Sequence, residues 1–151
     1  PGAFGYHSYP TGWAGEYKGR GSGFGLLLYT TLEITREDKQ RQLDQWALNY
    51  QAFNAPVILL FFMDNFLQKG SYMDCGMFIQ SIMLSAVEHG LATCPQAALG
   101  EYPDIVREEL SYAEDKLLLC GMALGYEDKT EIVNSYRTPR KDLDNMVRYF
   151  S

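Results

Sequence analysis

Over the first 25 residues apolar and polar positions follow no period. Tyr6, Tyr9, Trp13, Tyr17 and Phe24 are scattered among glycines and prolines, which predicts an irregular segment lying over another surface. A helical repeat begins after Thr35. That threonine is a candidate cap, Glu37 and Asp38 suit the positive end of a helix dipole, and Leu43, Trp46, Ala47, Tyr50 and Phe53 recur at helical spacing until Asn54 and Pro56 end the pattern. From Val57 to Phe62 the chain is continuously apolar between Pro56 and Asp64, the pattern of a central strand buried on both faces.

Ser71, with Asp74 three residues on, resembles a capping box and predicts a helix running to His89, with Gly90 left-handed just beyond its end. Its apolar residues Cys75, Phe78, Ile79, Ile82, Met83, Ala86 and Val87 cover more than one stripe. Gly76 and Ser81 are small enough to admit another backbone, so this helix is expected to be buried on more than one side. Leu91 to Ala98 reads as a short extended segment, Pro103 to Leu110 as a helix opened by proline, and Lys116 to Leu124 as a second apolar strand. After Gly125 the chain is polar, with sparse apolar residues such as Val133, Leu143, Met146, Val147 and Phe150, and is expected to form a docking arm. The pattern is that of a single mixed α and β domain without internal repeats, within the size of one folding unit at 151 residues.

Composition narrows the functional classes. Lys and Arg number 13 against 19 Asp and Glu, a net charge of -6 with no basic run, which argues against a nucleic-acid partner. Cys75, Cys94 and Cys120 stand far apart without metal-ligand spacing, so no metal site is expected and a reduced, cytoplasmic compartment fits. No apolar stretch is long enough to span a bilayer and no signal segment opens the chain, so no membrane partner is expected. The start on Pro1-Gly2, without methionine, suits either a trimmed terminus or a native one after methionine removal.

Local chemistry is sparse. Gly21-Ser22-Gly23-Phe24-Gly25 follows no strand and precedes no Gly-Lys-Ser/Thr, and is better read as a flexible loop than as a phosphate cradle. His89 falls where a helix-end role is expected, His7 lies in the irregular start, and neither belongs to a nucleophilic triad visible in sequence. Cys94, before Pro95 and without a neighbouring cation, reads as a packed cysteine. No catalytic side chain is assigned.

Gly70-Ser71-Tyr72-Met73-Asp74-Cys75-Gly76-Met77-Phe78-Ile79-Gln80-Ser81-Ile82-Met83-Leu84, followed by Gly90-Leu91-Ala92-Thr93-Cys94-Pro95-Gln96-Ala97-Ala98, resembles the central part of the nitroreductase flavoprotein family. Val106-Arg107-Glu108, Leu119 to Tyr126, Arg137-Thr138-Pro139-Arg140 and Leu143-Asp144 fall in that family's order. Upstream, Leu28-Tyr29, Leu32 and Arg36-Glu37-Asp38 resemble the subgroup that reduces nitroaromatic compounds.

The resemblance implies an α+β fold with a mixed sheet flanked by helices, a long central helix at a homodimer interface, a C-terminal arm and FMN sites between subunits. It implies that Pro95, Gln96, Ala97 and Ala98 pass along the flavin ring, with the amides of Ala97 and Ala98 donating to N5 and O4. It further implies that Arg140, with Arg137 as second candidate, holds the FMN phosphate. Lys141-Asp142 stands where the family often has a proline after this arginine. The family's opening Arg-Arg-Ser/Thr motif and Asn-x-Gln loop are not in these residues, so the resemblance implies a single nitroreductase-like domain that is N-terminally incomplete. The implied activity is FMN-dependent, ping-pong reduction of nitroaromatic or quinone-like acceptors with NAD(P)H as electron donor. The aromatic residues of the first segment, with Tyr29, are candidates for the acceptor pocket or for packing. The alternative is a non-catalytic dimerisation module, a truncated remnant that has lost its cofactor.

Overall fold

Strand β3 (Lys116–Gly125) organises the larger part of the molecule, because Leu118, Leu119, Met122 and Ala123 on it are almost wholly buried. The computed structural model describes residues 12–150. They form two compact units, one comprising Gly12 with Lys39–Glu127 and the other Trp13–Asp38 with residues 128–150.

In the larger unit, β1 (Val57–Asp64) and β2 (Ala92–Gln96) lie on either side of β3, both antiparallel to it. Among the described strands β3, not β1, is therefore central. The first residues of β1, Val57 and Ile58, are 43% and 47% exposed, and the strand is buried only at Phe61 and Met63, which share one core cluster, so the expected burial on both faces is not met. An apolar run reports a strand's tendency to be buried, whereas strand order depends on pairings distant in sequence. No parallel pair of the kind a mixed sheet contains occurs among these three strands.

Helix α3 (Lys69–Glu88) covers one face of the sheet. Tyr72, Cys75, Ile79, Ile82 and Met83 recur at three- and four-residue intervals and pack on Phe61, Met63, Leu119 and Met122. The helix starts two residues before Ser71, whose amide already donates to the Gln68 carbonyl at 2.9 Å, so the expected capping box does not form. Its end is as expected. Gly90 has φ +70, its amide donates to Val87 O at 3.0 Å, and the Leu91 amide reaches back to Ala86 O at 2.8 Å, the paired bonds of a Schellman motif. His89 Nδ1 lies 2.8 Å from Ser85 O, the helix-end role read from its position.

Helix α2 (Lys39–Ala47) begins four residues after Thr35, whose amide and hydroxyl both donate to Asp38 instead. It also stops before Asn54. Asn49 donates through both its amide and its side chain to Trp46 O, competing with helical continuation, and a 3₁₀ turn at Ala52–Asn54 follows. Helix α4 (Pro103–Leu110) spans the expected residues, with proline in its first turn and left-handed Ser111 after its end.

In the smaller unit, α1 (Gly15–Thr31) occupies residues expected to be irregular, and the Gly21–Gly25 cluster lies inside it rather than in a loop. Each interior glycine costs about 1 kcal/mol relative to alanine, and no apolar stripe runs along the helix, so neither propensity nor period announced it. Arg20 pairs with Glu16 one turn away at 3.4 Å, and Lys141 of the arm approaches the same carboxylate at 3.6 Å. The arm, residues 128–150, is irregular apart from 3₁₀ turns at Ile132–Asn134 and Leu143–Asn145. Among the described residues no helix is long and apolar enough to cross a membrane, and no cluster of His, Cys, Asp or Glu could hold a metal ion.

Candidate functional site

The segment expected to carry cofactor contacts is built where β2 ends and a 3₁₀ turn, Ala97–Gly100, folds back over β3. Two glycines permit that approach. A Cβ on Gly100 would stand 3.3 Å from Leu119 O, and one on Gly121 would stand 2.3 Å from Leu99 Cδ1 and 3.2 Å from Leu60 Cδ2. Pro95 is exposed, Ala97 half-buried and Ala98 buried. The amides of Ala97 and Ala98 open the 3₁₀ turn, where no preceding carbonyl of that turn is available to them. With only methyl side chains, these residues let another molecule come close to the main chain.

Gln96, paired across the sheet with Gly121, is 4% exposed. Its Nε2 donates to Asn49 O at 2.9 Å, while its Oε1 is buried with no hydrogen-bond partner among the described residues. Just beyond the turn, Glu101 accepts a 2.5 Å hydrogen bond from the Tyr50 hydroxyl. Burial, reinforced by that bond, pushes the Tyr50 pKa up to about 12. Asn49, Tyr50 and Glu101 were not candidates in the sequence, since their partners lie 47 and 51 residues away.

The remaining candidates belong to the other unit. Arg137 and Arg140 are both exposed in the arm. Arg137 donates to the carbonyls of Asn134 and Tyr136, and Arg140 to the Thr138 carbonyl at 3.0 Å and to the Thr138 hydroxyl. Side chain and backbone of Thr138 thus hold the guanidinium from one end. Trp13, Tyr17 and Phe24 are exposed, whereas His7, Tyr6 and Tyr9 lie outside the described residues. Cys94 lies at the surface with its thiol partly desolvated, which pushes the pKa up and disfavours the reactive thiolate at neutral pH.

Residues 26–126 match the model of the nitroreductase family. The chain belongs to that family. It is 36% identical over 140 residues to a 4-nitrobenzoate reductase of Pseudomonas putida, covering 93% of this chain and 62% of that protein. Among solved structures it matches the FMN and NADPH-dependent nitroreductase NfnB from sphigopyxis sp. strain HMH with TM-score 0.93 and 38% identity, over 97% of this chain and 66% of that one. The FMN-dependent nitroreductase NfnB from Mycobacterium smegmatis, solved in complex with NADPH, matches with TM-score 0.90 and 34% identity, over 96% and 65%. The nitroreductase α+β fold is thus shared along almost the whole chain. The chain spans between about two fifths and three fifths of the length of the curated relatives it matches.

Proposed function

We propose that the protein is an FMN-dependent oxidoreductase that uses NADH or NADPH to reduce nitroaromatic or quinone-like acceptors, and that it works as a homodimer. The observation that carries this reading is the match of 97% of the chain, at TM-score 0.93, to an FMN and NADPH-dependent nitroreductase.

The donor set fits a flavin. Two consecutive amides with small side chains suit the N5 and O4 edge of the ring, and an exposed guanidinium suits a phosphate through paired charge-assisted hydrogen bonds. Under this reading Pro95 and Gln96 bring the main chain alongside the ring, Ala97 and Ala98 donate to it, and Arg140, or Arg137 in second place, holds the phosphate. FMN, when bound, supplies the acceptance of hydride from NAD(P)H and its transfer to the acceptor in two half-reactions. The chain's own work is to bind and orient, and no protein nucleophile is required.

A dimer is supported by α3. Its outer side carries Met73, Met77, Leu84 and Val87, each more than 60% exposed, and a methyl group added at the exposed Gly76 would meet nothing within 4 Å. A glycine in a helix interior costs about 1 kcal/mol, and close approach of a second helix would compensate for it. A cytoplasmic location suits the NAD(P)H requirement and the three free cysteines.

The test is made on the full-length protein. It should retain a flavin absorbance spectrum after purification and give parallel double-reciprocal lines when NAD(P)H and a nitroaromatic acceptor are varied together. Intersecting lines would rule out the ping-pong scheme, and a protein that takes up no flavin would contradict the function itself.

A further inference from the structure

Two hydrogen bonds leave neighbouring residues of the corner after α2 and end on the two residues that flank the Ala97–Gly100 turn. From one side, Asn49 O accepts from Gln96 Nε2 at 2.9 Å, with Asn49 Oδ1 further off at 3.4 Å. From the other, the Tyr50 hydroxyl donates to Glu101 Oε2 at 2.5 Å, and the Tyr50 ring meets Tyr102 edge-on at 5.6 Å. The corner itself is held against its own preferences. Ala52, Phe53 and Asn54 have φ of 47, 53 and 60, three successive left-handed residues without a glycine, each costing about 1 kcal/mol or more. Such a conformation persists only where the surroundings fix it, and Ala52 is fully buried.

The chemistry of Gln96 points the same way. A buried amide with an unpartnered oxygen is a poor choice for stability, since an orphaned polar group costs about 1–3 kcal/mol and an apolar side chain of similar size would avoid that. What the amide supplies is a directional tie between β2 and a rigid corner.

We infer that Asn49, Tyr50, Gln96 and Glu101 form a clasp that fixes the main-chain amides of Ala97 and Ala98, making Gln96 and Tyr50 positioning residues for the redox-active edge of the flavin. The inference rests on the FMN reading above. A donor aimed at the N5 and O4 edge favours the electron-rich state of the ring only if it is already in place and cannot relax away. The clasp supplies that fixity at both ends of the turn.

The test uses the full-length protein with Gln96→Leu, which removes the amide at similar volume, and Tyr50→Phe, which removes one hydroxyl. In the flavin-free protein, hydrogen exchange of the Glu101 amide, which donates to Ala98 O at 3.0 Å and so reports on the turn, should rise about tenfold in either variant, while Leu118 and Met122 in β3 keep their wild-type protection. In the FMN-loaded protein, the two-electron midpoint potential should fall. A tenfold loss in preference for the reduced over the oxidised ring corresponds to about 30 mV. Should Gln96→Leu fail to fold, Tyr50→Phe alone decides, because it leaves the ring contact with Tyr102 in place. Wild-type exchange and potential in a folded variant overturn the clasp while leaving the FMN reading standing. A wild-type protein that binds no FMN overturns that reading and the clasp with it.

Discussion

Arg140 is held by Thr138 in an exposed arm, so its guanidinium adds little to the folded state and can be removed cleanly. If it binds the FMN phosphate, Arg140→Ala should weaken FMN affinity by about tenfold to a hundredfold, the worth of a hydrogen bond to a charged group, with unfolding midpoints unchanged. Arg140→Lys should recover only part of this, because an ammonium lacks the planar fork. Titration of apoprotein followed by flavin fluorescence measures both, and unchanged affinity in the alanine variant would move the phosphate role to Arg137 or elsewhere. Gly121 is the opposite case, a residue whose importance is purely steric. A methyl there meets Leu99 Cβ at 3.0 Å and Leu60 Cδ2 at 3.2 Å, so Gly121→Ala should destabilise by about 1–3 kcal/mol in denaturant unfolding. An unshifted midpoint would show that the turn over β3 is loosely packed. Tyr50 adds a pH dependence. Its folded pKa is raised from 10.0 to about 12, so the neutral phenol is favoured by folding. The corresponding stability is complete below pH 10 and lost as pH climbs toward 12. Comparing unfolding midpoints across that window, the wild-type protein should lose more stability than Tyr50→Phe, and identical slopes would contradict the raised Tyr50 pKa.

At the scale of elements, α3 carries the strongest expectation. Because Met77 is 62% exposed and absent from the packed core, Met77→Lys should leave the fold intact while shifting sedimentation from dimer to monomer. A variant that stays dimeric would place the interface elsewhere. The same helix shows what a sequence can convey. Its length and its glycine stop were legible because they depend on residues three to six apart, whereas the expected burial on more than one side is not met within the chain, where Phe78 and Val87 are 60% and 69% exposed. Its start was not, since Ser71 and Asp74 carry the letters of a capping box inside a first turn that begins at Lys69. Strand β3 and helix α4 were legible for the same local reasons. Helix α1 was missed because its glycines and unpatterned side chains leave no local signal, and the early end of α2 was missed because Asn49 ends it through its own side chain. That β3 rather than β1 lies between the other described strands is set by cross-strand partners some 60 residues away in the case of Leu60 and Gly121, beyond any local pattern.

For the molecule as a whole, the family was legible in the central helix, the Pro95–Ala98 segment and the closing arginines, and residues 26–126 match the nitroreductase family model. The clasp around Gln96 was not, because its two halves come together only when the α2 corner is brought beside β2. The proposed function at this scale rests on FMN, so it is tested on the assembled protein. The most direct measurement is NAD(P)H consumption by that protein, loaded with FMN, with and without a nitroaromatic acceptor under anaerobic conditions. Sustained oxidation is expected only when the acceptor is present, with the nitro compound reduced in proportion. A flavin-loaded protein that consumes no NAD(P)H, or consumes it without reducing the acceptor, would contradict the proposed function.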